Sequence, residues 1–251
     1  MPDHHTQPLI SVALCTFNGA NFLRPLLDSV LAQTYRYTEI VVCDDGSTDD
    51  TVAILRNYAD RDTRLRLHVN RESKGHRRNF EWAFSLCTGE HIAPCDQDDI
   101  WFPDKLRVLA NHLEGADLAY CDSELVDEEG RSLGLLISDK MHMLTTRDPV
   151  SFASANCVSG HSMIFRRTLL DRVLPVPDGF FYDWWIAAVA ASRAGIVFCP
   201  QVLVHYRQHQ ANVTDILKSR SKERSTKGYR SRRARDIGRR LSALAELPGD
   251  S

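Results

Sequence analysis

The chain alternates short apolar segments with helical patterns over about its first 115 residues, and this alternation restricts the fold more than any other feature. Predicted strands cover 9–15, 39–43, 65–69 and 91–95. Predicted helices, with apolar residues at helical spacing, cover 21–33, 49–58, 75–87 and 103–113. Repeated strand–helix–strand units predict an α/β fold with a mostly parallel central sheet and helices on both faces.

Regularity weakens beyond this region. Further strands are predicted at 117–122, 161–165, 197–199 and 201–206, and a helix rich in Trp and Ala at 182–193. Residues 127–130 carry a turn signal, and 134–150 are predicted as loop or short helix.

Polar clusters follow three of the first four predicted strands. They are Thr16-Phe17-Asn18-Gly19, Asp44-Asp45-Gly46-Ser47 and Asp96-Gln97-Asp98-Asp99. Parallel strands end on one edge of their sheet, and such sheets bind ligands at that edge. The three clusters therefore predict a functional site there.

Asp96 and Asp98 are two residues apart, directly after an apolar strand. In extended chain such residues point the same way, so both carboxylates can converge on a hard cation. Mg²⁺ or Mn²⁺ would keep positions free for water and phosphate oxygens. The alternative is a solvated turn that caps the following helix. The position at a strand end favours the metal and phosphate site.

The second acidic cluster, which begins with Asp44 and Asp45, is likewise consistent with ligand binding or with helix capping. Asp44 or Asp45 could accept a hydrogen bond from a base N–H or a ribose hydroxyl, whereas Thr48 or Asp49 is suited to cap the next helix. No Gly-x-Gly-x-x-Gly follows the first strand, and no Gly-x-x-x-x-Gly-Lys-Ser/Thr occurs. A Rossmann dehydrogenase and a P-loop enzyme are therefore not favoured.

Composition and cysteine usage suggest a cytoplasmic location. The 251 residues are 43% hydrophobic and 25% charged, as is usual for a folded soluble protein. Residues 1–8 lack the pattern of a signal peptide, and no apolar run reaches the ~20 residues of a membrane span. The seven cysteines are scattered without a Cys-x-x-Cys, so neither a zinc site nor a disulfide framework is indicated.

The motifs together resemble glycosyltransferase family 2, the inverting nucleotide-sugar transferases with the GT-A fold. The resemblance covers about residues 9–214, and DDGSTDDT (44–51) with DQDDIW (96–101) are its most specific blocks. Further matching segments are SVALCTFNGANFLRPLLDSVLAQTY (11–35), GHRRNFEWAFSLCTGEHIAPCDQDDIWFPDKL (75–106), VSGHSMIFRR (158–167), FYDWWIAAVA (181–190) and LVHYRQHQANVT (203–214). DQDDIW with YDWW and YRQH is most similar to the bacterial rhamnosyltransferase branch, which builds surface polysaccharide from dTDP-rhamnose.

The resemblance implies a GT-A domain over 1–217, with a nucleotide-sugar half at about 9–115 and an acceptor half at about 116–217. It implies a dTDP- or UDP-sugar donor, a saccharide or lipid-linked acceptor, and Mg²⁺ or Mn²⁺. The implied nucleotide contacts are Cys15, Phe17, Asn18, Asp45, Arg77, Asn79, Asp96 and Arg207, and the implied metal ligands are Asp98 and His209. The family often has Thr or Ser where this chain has Cys15, whose thiol is a weaker hydrogen-bonding group than a hydroxyl.

Asp183 matches the family's catalytic base, which would deprotonate the acceptor hydroxyl. Its neighbours Trp184 and Trp185 suggest partial burial and a raised pKa, which suits general-base work. The alternative is that Asp183 only caps its helix. Trp184, Trp185 and His161 are candidates for acceptor or sugar contact, although core and pocket wall is the favoured role of both Trp residues. His209 is equally consistent with an exposed loop histidine.

Residues 218–251 form a distinct tail, predicted as partly helical or disordered. Residues 218–240 contain eleven Lys or Arg and two acidic residues, a net charge of +9. The rest of the chain is acidic, so the formal net charge of the whole chain is −2. A solvated tail and attachment to an anionic membrane surface are both consistent with the charge of 218–240. Nucleic-acid binding is not favoured, because no nucleic-acid-binding signature accompanies it. Ile237, Leu241, Leu244 and Leu247 keep helical spacing, so the end of the chain is predicted to dock as a helix.

Two other functions compete with an inverting transferase. A sugar nucleotidyltransferase would usually carry a glycine-rich phosphate loop near its first strand, and none is present. A catalytically inactive transferase-like adaptor would not need Asp96, Asp98 and Asp183, which are all present.

Overall fold

The computed structural model describes residues 7–209 and 227–247. Its first half contains every element predicted there, with ends displaced by a few residues. The elements are β1 (Ile10–Thr16), α1 (Ala20–Leu31), β2 (Thr38–Asp44), α2 (Thr51–Ala59), β3 (Leu65–Val69), α3 (His76–Leu86), β4 (His91–Cys95), β5 (Ile100–Trp101) and α4 (Lys105–His112). The two-residue strand β5 was not predicted.

The second half departs more from the predictions. It contains β6 (Leu118–Val126), β7 (Ser132–Leu136), β8 (Met163–Arg166), α5 (Leu170–Val173), α6 (Tyr182–Ala191), β9 (Ile196–Arg207) and α7 (Lys227–Ala245). The prediction of two strands at 197–199 and 201–206 was wrong, because β9 runs through Pro200 as one strand. Its pairing with β6 shifts register at this point, which accommodates a residue without a backbone N–H. The segment predicted as loop or short helix contains 3-10 helices at Ile137–Asp139 and from Pro149, as predicted. Its first residues belong to β7, which was not predicted and pairs with β6 beyond the predicted turn.

Within the described residues, nine strands form one sheet in the order β3-β2-β1-β4-β8-β6-β9-β5, with β7 paired to β6. The four strands β3, β2, β1 and β4 are mutually parallel, as predicted. β8 then pairs antiparallel with both β4 and β6. Strand order reverses between β1 and β4, and ligand-binding crevices of α/β sheets form at such a point.

The sheet is buried on both faces. Ala13 and Cys15 of β1 belong to one hydrophobic cluster, and Val12 and Leu14 belong to the other. This division follows from the two-residue period of a strand, and a strand buried on both sides has an uninterrupted apolar sequence.

The end of the chain docks as a helix, as predicted. In α7, Leu244 is 6% exposed and joins the cluster that contains α6. Arg240 lies over the Trp184 ring, 3.7 Å from its centroid, and its Nε donates to the Gly179 carbonyl. The parts 218–226 and 248–251 of the predicted tail lie outside the described residues. In the part of the chain that the structure describes, no helix combines the length and apolar character needed to cross a bilayer.

Candidate active site

The Gln97 side chain joins the segments that follow β1 and β4, where the strand order predicts a crevice. The backbone N–H of Phe17 donates to Gln97 Oε1 at 2.8 Å, and Gln97 Nε2 donates to the Phe17 carbonyl at 3.1 Å. A Cβ on Gly19 would lie 2.2 Å from the same Oε1, so this position requires glycine. Gln97 therefore ties the segment after β1 to the acidic loop, Asp96–Asp99.

A second tie joins the segments after β1 and β2. Asn18 has a left-handed backbone with φ 48°, and its N–H donates to Ser47 Oγ at 2.8 Å. Its Oδ1 accepts from the Thr48 N–H at 2.9 Å. Phe17, which is 48% exposed, projects beside this junction and is available to stack on a base. Cys15 is buried, and burial raises the pKa of its thiol well above the ordinary value.

The carboxylates after β2 organise the loops around them. Asp45 accepts from four donors of the next loop: Asn70 Nδ2, Ser73 Oγ and the N–H groups of Lys74 and Gly75. Burial raises the pKa of Asp45, but these hydrogen bonds outweigh it and hold the pKa below its usual value. A carboxylate has about four acceptor sites, so the predicted bond to a base N–H would share an oxygen already in use. Asp44 accepts from the hydroxyls of Thr16 and Ser47.

The acidic loop meets the end of β9. His209 Nε2 lies 2.8 Å from Asp98 Oδ2, and the His209 ring stacks on Phe22 with centroids 4.7 Å apart. Both polar side chains retain some exposure, 9% for His209 and 14% for Asp98. The structure thus brings together the two residues predicted as metal ligands.

Arg207 makes hydrogen bonds within the protein that were not predicted. Its Nε donates to the Asp98 carbonyl at 2.9 Å, and Nη1 donates to the Glu128 carbonyl at 2.6 Å. Its backbone N–H donates to Asp99 Oδ1 at 3.1 Å, and only 4% of the residue is exposed. Arg207 therefore fastens the acidic loop to the turn after β6. Its contact with a pyrophosphate stays a prediction.

His76 lies between the acidic loop and α6. Its Nε2 is 3.8 Å from Asp96 Oδ1. Burial lowers the pKa of His76, but Asp96, with Asp183 and Asp98, outweighs this and raises it. The pairing holds the pKa of Asp96 below its usual value despite burial. Asp183 acts electrostatically on both groups, and the ring of the residue before it, Tyr182, lies 5.7 Å from the His76 ring, so the start of α6 lies near the acidic loop.

Asp183 occupies the first turn of α6. Its Oδ1 accepts from the Trp184 N–H at 2.6 Å, and the Gly160 N–H also bonds the carboxylate. Burial raises the pKa of Asp183 to about 7, and the negative charge of Asp96 adds to the effect. A Cβ on Gly160 would lie 2.0 Å from Tyr182 Oη, so this close approach requires glycine. The result is a carboxyl group poised to exchange a proton near neutral pH.

A buried polar network lies beneath the acidic loop. Lys105 Nζ donates to the His161 carbonyl at 2.5 Å and lies 3.1 Å from the centroid of the Trp101 ring. Burial lowers the pKa of Lys105 to about 8. His161 Nε2 is 3.0 Å from Ser123 Oγ, and its Nδ1 is 3.8 Å from Asp99 Oδ2. Burial lowers the pKa of His161 to about 4, so its imidazole is neutral.

The prediction that His161 contacts acceptor or sugar is therefore not supported, since the residue is 2% exposed. Its carbonyl belongs to the same turn as the Gly160 N–H that bonds Asp183. The bond from Lys105 to the His161 carbonyl thus holds in place the turn whose Gly160 N–H bonds Asp183.

The two tryptophans of α6 also point away from the crevice. Trp185 is 6% exposed and packs in the core. Trp184 Nε1 donates to the Phe152 carbonyl at 2.6 Å, and Arg240 of α7 covers its ring. Both are core or wall residues, the alternative that the sequence left open.

Two predicted nucleotide contacts on α3 have structural partners instead. Asn79 is 2% exposed, and its Nδ2 donates to the Cys43 carbonyl at 2.8 Å. Arg77 Nη1 lies 3.0 Å from Asp178 Oδ1, which links α3 to the loop before α6. Asn79 therefore anchors α3 under β2, and Arg77 joins the two sides of the cleft.

Among the residues that the structure describes, two groups of side chains could hold a cation. Asp98 and His209 already approach each other and retain exposure, so a divalent ion fits between carboxylate and imidazole ligands there. Asp96, Asp99 and His161 place possible ligand atoms within 4.8 Å of one another, and Asp99 Oδ2 is buried without a partner. Lys105 acts electrostatically on Asp96 and Asp99, so this deeper group has a cation beside it. Asp98 and His209 both retain exposure, whereas Asp99 and His161 of the deeper group are buried.

Sequence reasoning missed Gln97, His76 and Lys105. Gln97 stands inside the DQDD block, and His76 opens a matching segment, so both could have been singled out by position. Nothing in the sequence distinguishes Lys105 from a solvated lysine, because its burial depends on the packing of α4 against β6 and β8.

Solved structures of glycosyltransferases share the fold. Staphylococcus aureus TarS in complex with UDP-GlcNAc matches with a TM-score of 0.66 and 19% identity over 95% of this chain and 71% of that chain. The mannosyltransferase PcManGT from Pyrobaculum calidifontis, in complex with GDP-Man and Mn²⁺, matches with a TM-score of 0.67 and 23% identity over 100% of this chain and 68% of that chain. These matches confirm the predicted GT-A fold.

Sequence relatives lead to the same family. An uncharacterized glycosyltransferase of Rickettsia typhi is 30% identical over 229 residues, which are 86% of this chain and 69% of the relative. One of Rickettsia prowazekii is 30% identical over 83% of this chain and 66% of its own length. An Escherichia coli protein named UDP-Glc:alpha-D-GlcNAc-diphosphoundecaprenol beta-1,3-glucosyltransferase is 24% identical over 82% of this chain and 79% of its own length. The chain spans about two thirds of the Rickettsia relatives.

The family model for "Glycosyl transferase family 2" matches residues 11–174, which include the crevice, the acidic loop and the turn that bonds Asp183. The chain belongs to glycosyl transferase family 2.

Proposed function

We propose that this protein transfers a sugar, with inversion, from a nucleotide-diphosphate donor to a hydroxyl of a saccharide or lipid-linked saccharide. The observation that carries the proposal is the position of Asp183, a carboxyl group with a pKa of about 7, facing the acidic loop across His76. An inverting transfer needs one base for the acceptor hydroxyl and stabilisation of the departing diphosphate. Asp183 can supply the base, and the acidic loop with a bound cation can stabilise the departing diphosphate.

The nucleotide would lie in the crevice between β1 and β4. Phe17 would stack on the base, and the loop held by Asp45 would border it. Asp96, on the crevice side of the acidic loop, would accept hydrogen bonds from ribose or sugar hydroxyls. UDP and UDP-GlcNAc in TarS, and GDP-Man in PcManGT, support a nucleotide-sugar donor.

Asp183 would act as the general base. A general base must be ionised in a fraction of the molecules and still basic enough to receive a proton. A pKa near 7 gives Asp183 both properties. The bond from the Gly160 N–H orients the carboxylate. No covalent intermediate is required.

Asp98 and His209 would hold Mg²⁺ or Mn²⁺, which when bound would offset negative charge on the leaving diphosphate. The 2.8 Å approach of these side chains supports this assignment, as does the Mn²⁺ in the PcManGT complex.

The test separates binding from transfer. We expect Asp183→Asn to bind nucleoside diphosphate as the wild type does, measured by calorimetry, while transfer falls by about 10²- to 10⁴-fold. Asp60→Asn, at an exposed position after α2, is the matched control. Undiminished transfer by Asp183→Asn would remove it as the base. Nucleotide binding without transfer to any acceptor by the wild type would favour the inactive adaptor, and formation of nucleotide sugar from nucleoside triphosphate would favour a nucleotidyltransferase.

Rhamnose from dTDP-rhamnose is the proposed donor sugar, on the resemblance of the DQDDIW, YDWW and YRQH motifs to rhamnosyltransferases. A product screen by mass spectrometry with dTDP-rhamnose, UDP-glucose, UDP-GlcNAc and GDP-mannose tests it. Preferred transfer from any of the other three would contradict the rhamnose assignment and leave the transferase proposal intact.

The proposal includes peripheral attachment to the cytoplasmic face of a membrane through 218–240. Its +9 charge suits an anionic leaflet, and each basic residue near such a surface can add about 1 kcal/mol. Flotation with vesicles that contain phosphatidylglycerol tests it. Replacing Lys and Arg of 218–235 by Gln keeps the docked part of α7 and should abolish flotation. Equal flotation of this variant would contradict attachment through the tail.

A further inference from the structure

We infer that His76 is a further donor-contacting residue, whose Nε2 donates a hydrogen bond to the diphosphate of the bound nucleotide sugar. The inference rests on the proposed function. It begins with the place of His76 in the fold. His76 is the first residue of α3 and follows Gly75, whose φ is 84°. This glycine turns the chain from the loop held by Asp45 into the helix beside the crevice.

One side of the imidazole is packed and another is accessible. The ring contacts Phe80 edge-on with centroids 5.0 Å apart, and lies 5.7 Å from Tyr182. The side chain is nevertheless 42% exposed. The aromatic contacts therefore fix the orientation of the ring while leaving it within reach of a ligand.

In the proposed function, the imidazole lies beside the reacting centre of the donor. Its Nε2 is 3.8 Å from Asp96, on the nucleotide side, and Asp183 on the acceptor side is near enough to act on it electrostatically. In the proposed transfer the bond between the sugar and the diphosphate breaks between these two sides, so the leaving diphosphate would lie beside His76. The 3.8 Å separation from Asp96 is longer than a well-formed hydrogen bond, so Nε2 can donate to a diphosphate oxygen while the ring keeps its orientation.

The other basic side chains around the acidic loop have partners elsewhere. Arg207 bonds backbone carbonyls, Lys105 is fully buried beneath the loop, and Arg77 pairs with Asp178. A diphosphate in a cleft lined by Asp96, Asp98 and Asp183 needs compensating donors. Among the described residues on the α3 side of the cleft, His76 can offer one.

The experiment compares ligands that differ only in the diphosphate. The affinity of UDP and uridine, and of dTDP and thymidine, would be measured by calorimetry in the presence of Mn²⁺ for the full chain and three variants. His76→Phe keeps the ring contacts and removes the donor N–H. His76→Gln keeps an N–H near the position of Nε2. His112→Phe is the histidine control, because its ring bonds the Val108 carbonyl of its own helix.

We expect His76→Phe to weaken binding of the nucleoside diphosphate about ten-fold or more, to leave nucleoside binding unchanged, and to lower transfer, with partial recovery in His76→Gln. Equal binding of UDP or dTDP by wild type and His76→Phe would overturn the inference, as would a parallel loss for diphosphate and nucleoside, which indicates a structural role. Failure of the wild type to bind either diphosphate would instead contradict the proposed function.

Discussion

His209 Nε2 lies 2.8 Å from Asp98 Oδ2, although the two residues are 111 positions apart in the sequence. The contact joins the end of β9 to the acidic loop after β4. It depends on the pairing of β5 with β9, which places Ile100 opposite His205 and so brings the chain beyond β9 next to the loop. A carboxylate and an imidazole held together in this way offer two ligand atoms for the proposed metal ion.

We predict that Asp98→Asn and His209→Ala remove the metal dependence of nucleotide binding. Wild-type affinity for the nucleoside diphosphate should fall at least about ten-fold when EDTA replaces Mn²⁺, which corresponds to about 1.4 kcal/mol. Both variants should bind with the EDTA affinity in either buffer, measured by calorimetry. Asp60→Asn should behave as the wild type. Metal-dependent binding that survives in both variants would move the metal to the group Asp96, Asp99 and His161.

The raised pKa of Asp183 predicts the pH dependence of transfer. The base accepts a proton only when it is ionised, so kcat/KM should rise as the pH increases through about 7 and level off above it. A wild-type profile that is flat from about pH 5 to about pH 8 would show that this group does not control the reaction.

The raised pKa of Asp183 also predicts that the free energy of unfolding falls as the pH rises, whereas the rate of transfer increases. Between its ordinary pKa of 3.8 and about 7, the folded protein binds more protons at Asp183 than the unfolded chain, so this group lowers the free energy of unfolding as the pH rises. Asp183→Asn should therefore be more stable than the wild type at about pH 8, by at most about 4 kcal/mol, and gain less at about pH 5. Urea unfolding at both pH values measures this. A gain that is the same at both would contradict the assigned pKa, and Asp60→Asn is the control.

Gly160→Ala should impair both stability and transfer. Its Cβ would lie 2.0 Å from Tyr182 Oη and 2.7 Å from Cζ, so the turn or the tyrosine must move, at a cost of about 1–3 kcal/mol. The movement would also displace the N–H that bonds Asp183. Gly238→Ala is the matched control, because no atom lies within 4 Å of the added Cβ.

Adding Tyr182→Phe to Gly160→Ala should recover part of the stability, since it removes the closest atom. The double-mutant cycle, followed by urea unfolding, tests the contact. Strict additivity of the two changes would exclude a clash between these residues.

Docking of α7 predicts unequal effects for two leucines of one helix. Leu244 is 6% exposed, whereas Leu241 is 42% exposed. Leu244→Ala should lower the free energy of unfolding by about 2 kcal/mol or more, and Leu241→Ala by less than about 0.5 kcal/mol. Limited proteolysis should cut the Leu244 variant faster within 227–247. Equal effects of the two substitutions would contradict the docked orientation of the helix.

The sequence by itself determined the parallel half of the sheet and the place of the site. Apolar periodicity and turn residues act locally, so the strands and helices of residues 9–113 could be predicted, and the rule that parallel strands end on one edge placed Asp45 and Asp96 there. The antiparallel insertion of β8 between β4 and β6 depends on pairings between distant segments, which no local pattern contains.

Only the tertiary structure decided which polar side chains enter the cleft. His161, Arg207 and Asn79 carry functional groups that suit a binding role, yet in the structure they are buried and hydrogen-bonded to other groups of the protein. His76 was not predicted, yet it faces Asp96. A residue type states which hydrogen bonds a side chain can make, whereas its neighbours decide which bonds it does make, because a buried polar group must satisfy its partners where it lies.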